Sequence, residues 1–161
     1  MMTSYRTTSE QETQQVARSM AAVLRRGDVV ALYGDLGTGK TQFVKGLCGA
    51  FHVQDPVTSP TFVILNRYAG LEREEKEIYI FHFDLYRVEN EGEMYDLGYE
   101  EFLFGNGICV IEWADRLESL LPVRRYDVSL SFGESEDERN ISINPVGIQI
   151  TSHNQSGGIH T

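Results

Sequence analysis

Val29-Val30-Ala31-Leu32-Tyr33-Gly34-Asp35-Leu36-Gly37-Thr38-Gly39-Lys40-Thr41 is the stretch that decides how this chain folds. Its first five residues are apolar at consecutive positions and rich in β-formers, as a strand covered on both faces should be. From Gly34 onward it fits G-x-x-x-x-G-K-[ST] at every fixed position. A helix is expected over 40–51, with Phe43, Leu47 and Phe51 on its inner side. A buried strand that enters such a turn and a helix that leaves it form the context in which the pattern binds phosphate. The residue types follow from charge. A triphosphate carries several negative charges, and backbone N–H groups with the positive end of a helix bind them without flexible side chains. Glycines let the backbone curl and leave room for the ligand. The expected nucleotide-binding residues are therefore Asp35, Leu36, Gly37, Thr38, Gly39, Lys40, Thr41 and Gln42, with ATP and Mg²⁺ as cofactors. The Lys40 ammonium is expected to reach the β- and γ-phosphates, and the Thr41 hydroxyl to coordinate Mg²⁺.

Upstream, residues 5–8 suit a short strand. Ser9 and Glu12 have capping-box spacing, and Val16, Met20, Val23 and Leu24 fall on one face of the helix behind them. Gly27 is a natural stop for that helix. Downstream, 61–68 and 78–83 read as strands joined by a charged hairpin loop over 70–77. Residues 91–103 suit short helices broken at Gly98. Residues 108–111 form another buried strand, and 115–121 a helix stopped by Pro122. Residues 126–132 and 140–143 alternate like a hairpin around the acidic turn 134–138. The mixture of βαβ units with hairpins predicts an α/β fold: a P-loop NTPase-like sandwich with a mixed, partly antiparallel central sheet flanked by helices. Residues 1–150 are read as a single P-loop ATPase domain, and 151–161 as a disordered polar tail.

A phosphate-binding loop needs a carboxylate on a neighbouring strand to hold Mg²⁺ or its waters. Glu112 ends the run 108–111, and Asp84 ends the run 78–83. Either acid lies at a strand's C-terminal edge, where ligands bind in open α/β sheets. The roles of metal ligand and general base stay open between them. Thr61, in Thr58-Ser59-Pro60-Thr61, is the candidate sensor of the γ-phosphate and Mg²⁺. Trp113 reads as a core anchor or as a platform beside the nucleotide, with the core favoured by composition. His82 reads as a satisfied core histidine rather than a metal ligand. Arg87 and Arg116 read as solvated or ion-paired, and Tyr95 and Tyr99 as packing residues.

Composition bounds the rest. The chain has 161 residues, 41% of them hydrophobic and 24% charged, an ordinary globular balance. No apolar run approaches the roughly 20 residues of a membrane span. The first twelve residues lack a signal peptide's apolar stretch, so a cytoplasmic location is expected. Cys48 and Cys109 fit no metal-binding spacing and are expected to be buried and free. A net charge of −10 argues against autonomous binding to nucleic acid.

Five motifs occur in order: the loop from Gly34 to Thr41, then Ser59-Pro60-Thr61-Phe62, His82-Phe83-Asp84-Leu85-Tyr86-Arg87, Asp96-Leu97-Gly98 and Val110-Ile111-Glu112-Trp113. Together they closely resemble the TsaE family, the bacterial ATPase of threonylcarbamoyladenosine tRNA modification. The resemblance runs from about the first helix to Pro122. It implies a small ATPase that acts with two partner proteins, TsaB and TsaD, and meets tRNA only through them, with no membrane. TsaD transfers threonylcarbamoyl to the adenosine beside the anticodon, and the ATPase supports turnover. By motif match, Lys40 binds phosphate, Thr41 and Glu112 hold Mg²⁺, Asp84 is the second acid, and Thr61 and Trp113 lie near the nucleotide. Other readings are a small-molecule kinase, for which no arginine-rich lid is visible, and a nucleotide-sensing adaptor without significant hydrolysis. A GTP switch is disfavoured because no Asn-Lys-x-Asp occurs.

Overall fold

The computed structural model describes residues 2–60 and 63–148. Seven strands form one sheet: β1 (Thr3–Thr7), β2 (Val29–Tyr33), β3 (Leu65–Leu71), β4 (Glu77–Asp84), β5 (Ile108–Glu112), β6 (Arg125–Phe132) and β7 (Arg139–Val146). Their spatial order is β1-β7-β6-β2-β5-β4-β3. The pairs β6/β2, β2/β5 and β5/β4 are parallel, whereas β1/β7, β7/β6 and β4/β3 are antiparallel. The helices are α1 (Glu10–Met20), α2 (Lys40–Ala50), α3 (Glu91–Leu97) and α4 (Tyr99–Leu103), with 3₁₀ turns at Ala21–Val23, Arg73–Glu75 and Ala114–Leu120. The expected mixed, partly antiparallel sheet with flanking helices is what forms.

Strand alternation divides the core. Val30, Leu32, Ile80, Val110 and Val128 face Ala17 and Met20 of α1 and Phe43, Val44 and Leu47 of α2. Val29, Ala31, Phe83, Cys109 and Ile111 face Met94 of α3, Tyr99 and Leu103 of α4, and Ala114. The central parallel strands are thus covered on both sides, which is why they read as continuous apolar runs. Helices α1 and α2 cross closely, because a Cβ at Gly46 would lie 2.3 Å from the Gln14 carbonyl. Cys48 and Cys109 are buried and free, as expected.

Helix ends follow local chemistry. Ser9 accepts from the Glu12 N–H at 3.1 Å. The Glu12 carboxylate reaches back one residue further than in a capping box, to the N–H and hydroxyl of Thr8. A complete box forms instead at α3, between Asn90 and Glu93. The Thr7 and Thr13 hydroxyls, 2.9 Å apart, pin the end of β1 against α1.

Some expectations need correction. Val23 is exposed, because the helix gives way to a 3₁₀ turn that rotates it off the apolar face. Gly27 does not end α1; at φ +90 it forms the turn into β2 and donates its N–H to the Gly107 carbonyl. The strand expected over 61–68 begins only at Leu65, after Ile64 in the left-handed region at φ 68. The helix expected over 115–121 is a 3₁₀ segment interrupted at Leu117. Tyr95 and Tyr99 do pack, ring edge to ring face, although Tyr95 is more than half exposed while Tyr99 is buried. The tail over 151–161 and the candidate Thr61 lie outside the described residues. Among the described residues no helix is long and apolar enough to cross a membrane.

Candidate functional site

The C-terminal ends of β2, β4 and β5 lie side by side, and in that register Leu32 faces Glu112 and Asp84 faces Glu112. The glycine-rich loop springs from β2 above this edge. Two backbone positions show why the loop needs glycine. Gly34 sits at φ +152, where an added Cβ would lie only 2.5 Å from the Leu130 carbonyl oxygen. Gly39, left-handed at φ 104, caps α2 without a side chain that could compete for the first-turn N–H groups. Thr38 closes the turn, its hydroxyl donating to the Asp35 carbonyl at 2.8 Å.

A cleft of about 520 Å³ opens over the loop. Leu36, Gly37, Thr38, Gly39, Lys40, Thr41 and Gln42 line it, with Asp84, Glu112 and Trp113. Of the expected site residues, only Asp35 is absent from that wall and only Thr61 is outside the described chain. Asp35 contributes its carbonyl to the Lys40 ammonium instead.

Lys40 is buried, and its Nζ donates to the carbonyls of Gly34 at 2.6 Å and Asp35 at 2.9 Å. Burial lowers its pKa, opposed by the negative charges of Glu112 and Asp84. The same ammonium lies 3.9 Å from the centre of the Trp113 ring. Trp113 is left-handed at φ 56, a costly conformation for an aromatic residue, and its ring packs 4.9 Å from that of Tyr86. It is therefore a wall of the cleft as well as part of the core packing, where composition favoured the core alone. Arg116 lies over the outer face of Tyr86 at 5.3 Å.

The two acids are held differently. Glu112 is 3% exposed; it accepts from the Thr41 hydroxyl at 3.0 Å and contacts His82 Nε2 at 2.5 Å. Asp84 accepts from the Ser59 hydroxyl at 2.6 Å and from the Tyr86 N–H at 2.9 Å. Thr41 and Glu112 together offer hard oxygen donors in contact, a pair that suits Mg²⁺, which takes one or two protein oxygens and completes its shell with phosphate and water. The residues present thus fit the ion and the nucleotide.

Several residues of the site were not anticipated. Ser9, Glu10 and Thr13, at the start of α1, line the cleft together with Asp137 and Arg139. Arg139 Nη2 donates to the Gly37 carbonyl at 3.3 Å while its guanidinium lies over Phe132. His82 is the satisfied buried histidine expected of it, yet its partner is the site carboxylate. Ser59 was visible only as part of a motif.

A family profile described as "Threonylcarbamoyl adenosine biosynthesis protein TsaE" matches residues 7–141. The chain is 38% identical over 143 residues to the tRNA threonylcarbamoyladenosine biosynthesis protein TsaE of Bacillus subtilis, covering 89% of this chain and 85% of the relative. It is 39% identical over 123 residues to the TsaE of Treponema pallidum, covering 76% and 85%. The crystal structure of Bacillus subtilis YdiB superposes with a TM-score of 0.73 at 31% identity, over 91% of this chain and 87% of that one.

Proposed function

The chain belongs to the TsaE family of tRNA threonylcarbamoyladenosine biosynthesis proteins, and from that premise we propose that it is the pathway's Mg²⁺-dependent ATPase, acting in the cytoplasm through TsaB and TsaD. The observation that carries this reading is the meeting of Lys40, Thr41, Asp84 and Glu112 in one cleft under a glycine-rich loop. Loop N–H groups and Lys40 bind the phosphates. Thr41 and Glu112 would hold Mg²⁺, which would supply positive charge against the phosphates when bound. Asp84, fixed by Ser59 and the Tyr86 N–H, orients the attacking water. Trp113 walls the cleft beside Lys40, and Thr61, by motif match alone, would sense the γ-phosphate.

This division of labour separates the two acids. Glu112→Gln should raise the Mg²⁺ concentration needed for hydrolysis. Asp84→Asn should leave that requirement alone and lower kcat by about 10²-fold or more. Steady-state hydrolysis over a Mg²⁺ series distinguishes them, and an equal effect of both changes on the Mg²⁺ requirement contradicts the assignment.

The functional test is reconstituted threonylcarbamoyl transfer to tRNA with TsaB and TsaD, over many turnovers. Product should accumulate beyond one equivalent of TsaD with this chain and stop near one equivalent with Lys40→Ala. Equal support by both proteins would instead make the chain an adaptor whose hydrolysis is dispensable.

A further inference from the structure

We propose that Tyr68 and His82 form a positioning relay that ties the 58–60 segment to the Glu112 carboxylate, so that the segment's conformation sets how Glu112 is presented to the cation. The proposal rests on the reading of Glu112 as a Mg²⁺ ligand and adds the means by which that ligand is controlled. The relay is continuous. The Thr58 N–H donates to the Tyr68 hydroxyl oxygen at 3.3 Å, and that hydroxyl lies 3.1 Å from the Thr58 carbonyl. It also lies 3.3 Å from His82 Nδ1. His82 Nε2 is 2.5 Å from Glu112 Oε2, and Glu112 Oε1 accepts from Thr41. Asn66, opposite His82 in the β3/β4 ladder, donates its amide to the Thr58 carbonyl at 3.2 Å.

Two features distinguish this from ordinary satisfaction of a buried ring. His82 is 0% exposed and Tyr68 is 4% exposed, so water cannot substitute for either partner. The Tyr68 hydroxyl also has one proton and two acceptors, the Thr58 carbonyl and His82 Nδ1. When it points at Nδ1, the ring hydrogen is fixed on Nε2 and donated to Glu112, which holds Oε2 and leaves Oε1 turned to Thr41. When it points at Thr58, Nδ1 loses that donor and the ring is oriented from the Glu112 side alone. Movement of the 58–60 segment changes which acceptor is available. The segment also meets the second acid, through Ser59 and Asp84, so both carboxylates are referred to the same stretch of chain. Tyr68 and His82 are positioning residues, because each acts through Glu112.

The test begins with ¹H–¹⁵N NMR of the full chain without nucleotide. Glu112→Gln should shift the Thr58 amide resonance, and the same change in a Tyr68→Phe background should leave that resonance where Tyr68→Phe alone puts it. A Thr58 amide indifferent to Glu112→Gln in the presence of Tyr68 overturns the relay. Hydrolysis supplies the second arm. Tyr68→Phe should raise the half-saturating Mg²⁺ concentration about tenfold, the usual scale for a residue behind a metal ligand, while ATP affinity in EDTA, followed by the fluorescence of Trp113, stays within about twofold. His82→Gln, which keeps a donor toward Glu112, should lie closer to wild type than His82→Leu. Tyr68→Phe removes one oxygen, so it carries this arm even if His82→Leu fails to fold. An unchanged Mg²⁺ requirement in Tyr68→Phe counts against the relay. Absence of hydrolysis by the wild type, with Thr58 still answering to Glu112, removes the ATPase reading and leaves the relay standing.

Discussion

At the scale of single residues, the most exacting position is Gly34. Its φ of +152 and its approach to the Leu130 carbonyl leave no room for a Cβ. Gly34→Ala should therefore cost roughly 2–4 kcal/mol, from strain and overpacking together, read as a lower urea midpoint at unchanged slope. The pattern G-x-x-x-x-G-K-[ST] announces this position because every interaction that defines the turn lies within a few residues of sequence. The acids were legible for a related reason: a strand that runs apolar to its end and stops on a carboxylate places that carboxylate at the sheet edge. What each acid touches was not legible. His82 meets Glu112 across 30 positions and Arg139 meets Gly37 across 102, and no local pattern encodes such contacts. The left-handed Trp113 was equally hidden, because its ring meets Lys40 and Tyr86, residues distant in sequence.

At the scale of elements, α2 links the core to the site, since Lys40 and Thr41 open the helix whose inner face carries Phe43 and Leu47. Phe43 is fully buried against the sheet. Phe43→Ala should destabilise the chain by about 3–5 kcal/mol, measurable by denaturant unfolding, and should weaken phosphate binding only through loss of folded protein. The β6/β7 hairpin depends on the carboxylate of Glu138. The Glu134 N–H holds its pKa below the ordinary 4.5, and Arg6 acts in the same direction. A depressed carboxylate pKa stabilises the fold at pH above 4.5, and that stabilisation is lost as pH falls through the folded-state value. Glu138→Gln should accordingly flatten the fall of Tm below about pH 4.5 and lower Tm at neutral pH. An acid limb of unchanged steepness contradicts that role. Periodicity found these strands but misplaced the start of β3, because Ile64 in the left-handed region interrupts a run whose composition is extended throughout.

At the scale of the whole molecule, four parallel strands in the middle of a mixed sheet bring loops from distant parts of the chain to one edge, and the cleft is built there. The net charge of −10 complements a basic partner surface better than a phosphate backbone. Affinity for the TsaB–TsaD pair should therefore fall steadily as salt rises from about 0.05 to 0.3 M, as a titration at several ionic strengths would show; salt-insensitive binding would mean that apolar contacts dominate. Net charge is legible from composition, whereas the face that meets a partner depends on how the surface is assembled. The central claim is that the glycine-rich loop and its two acids hydrolyse ATP. Its most direct test is Mg²⁺-dependent ATP hydrolysis by the purified chain, alone and with TsaB–TsaD, beside Lys40→Ala. The account predicts slow turnover alone, a clear rise with the pair and loss of both in the variant. Hydrolysis that survives Lys40→Ala, or that is absent with the pair present, would contradict it.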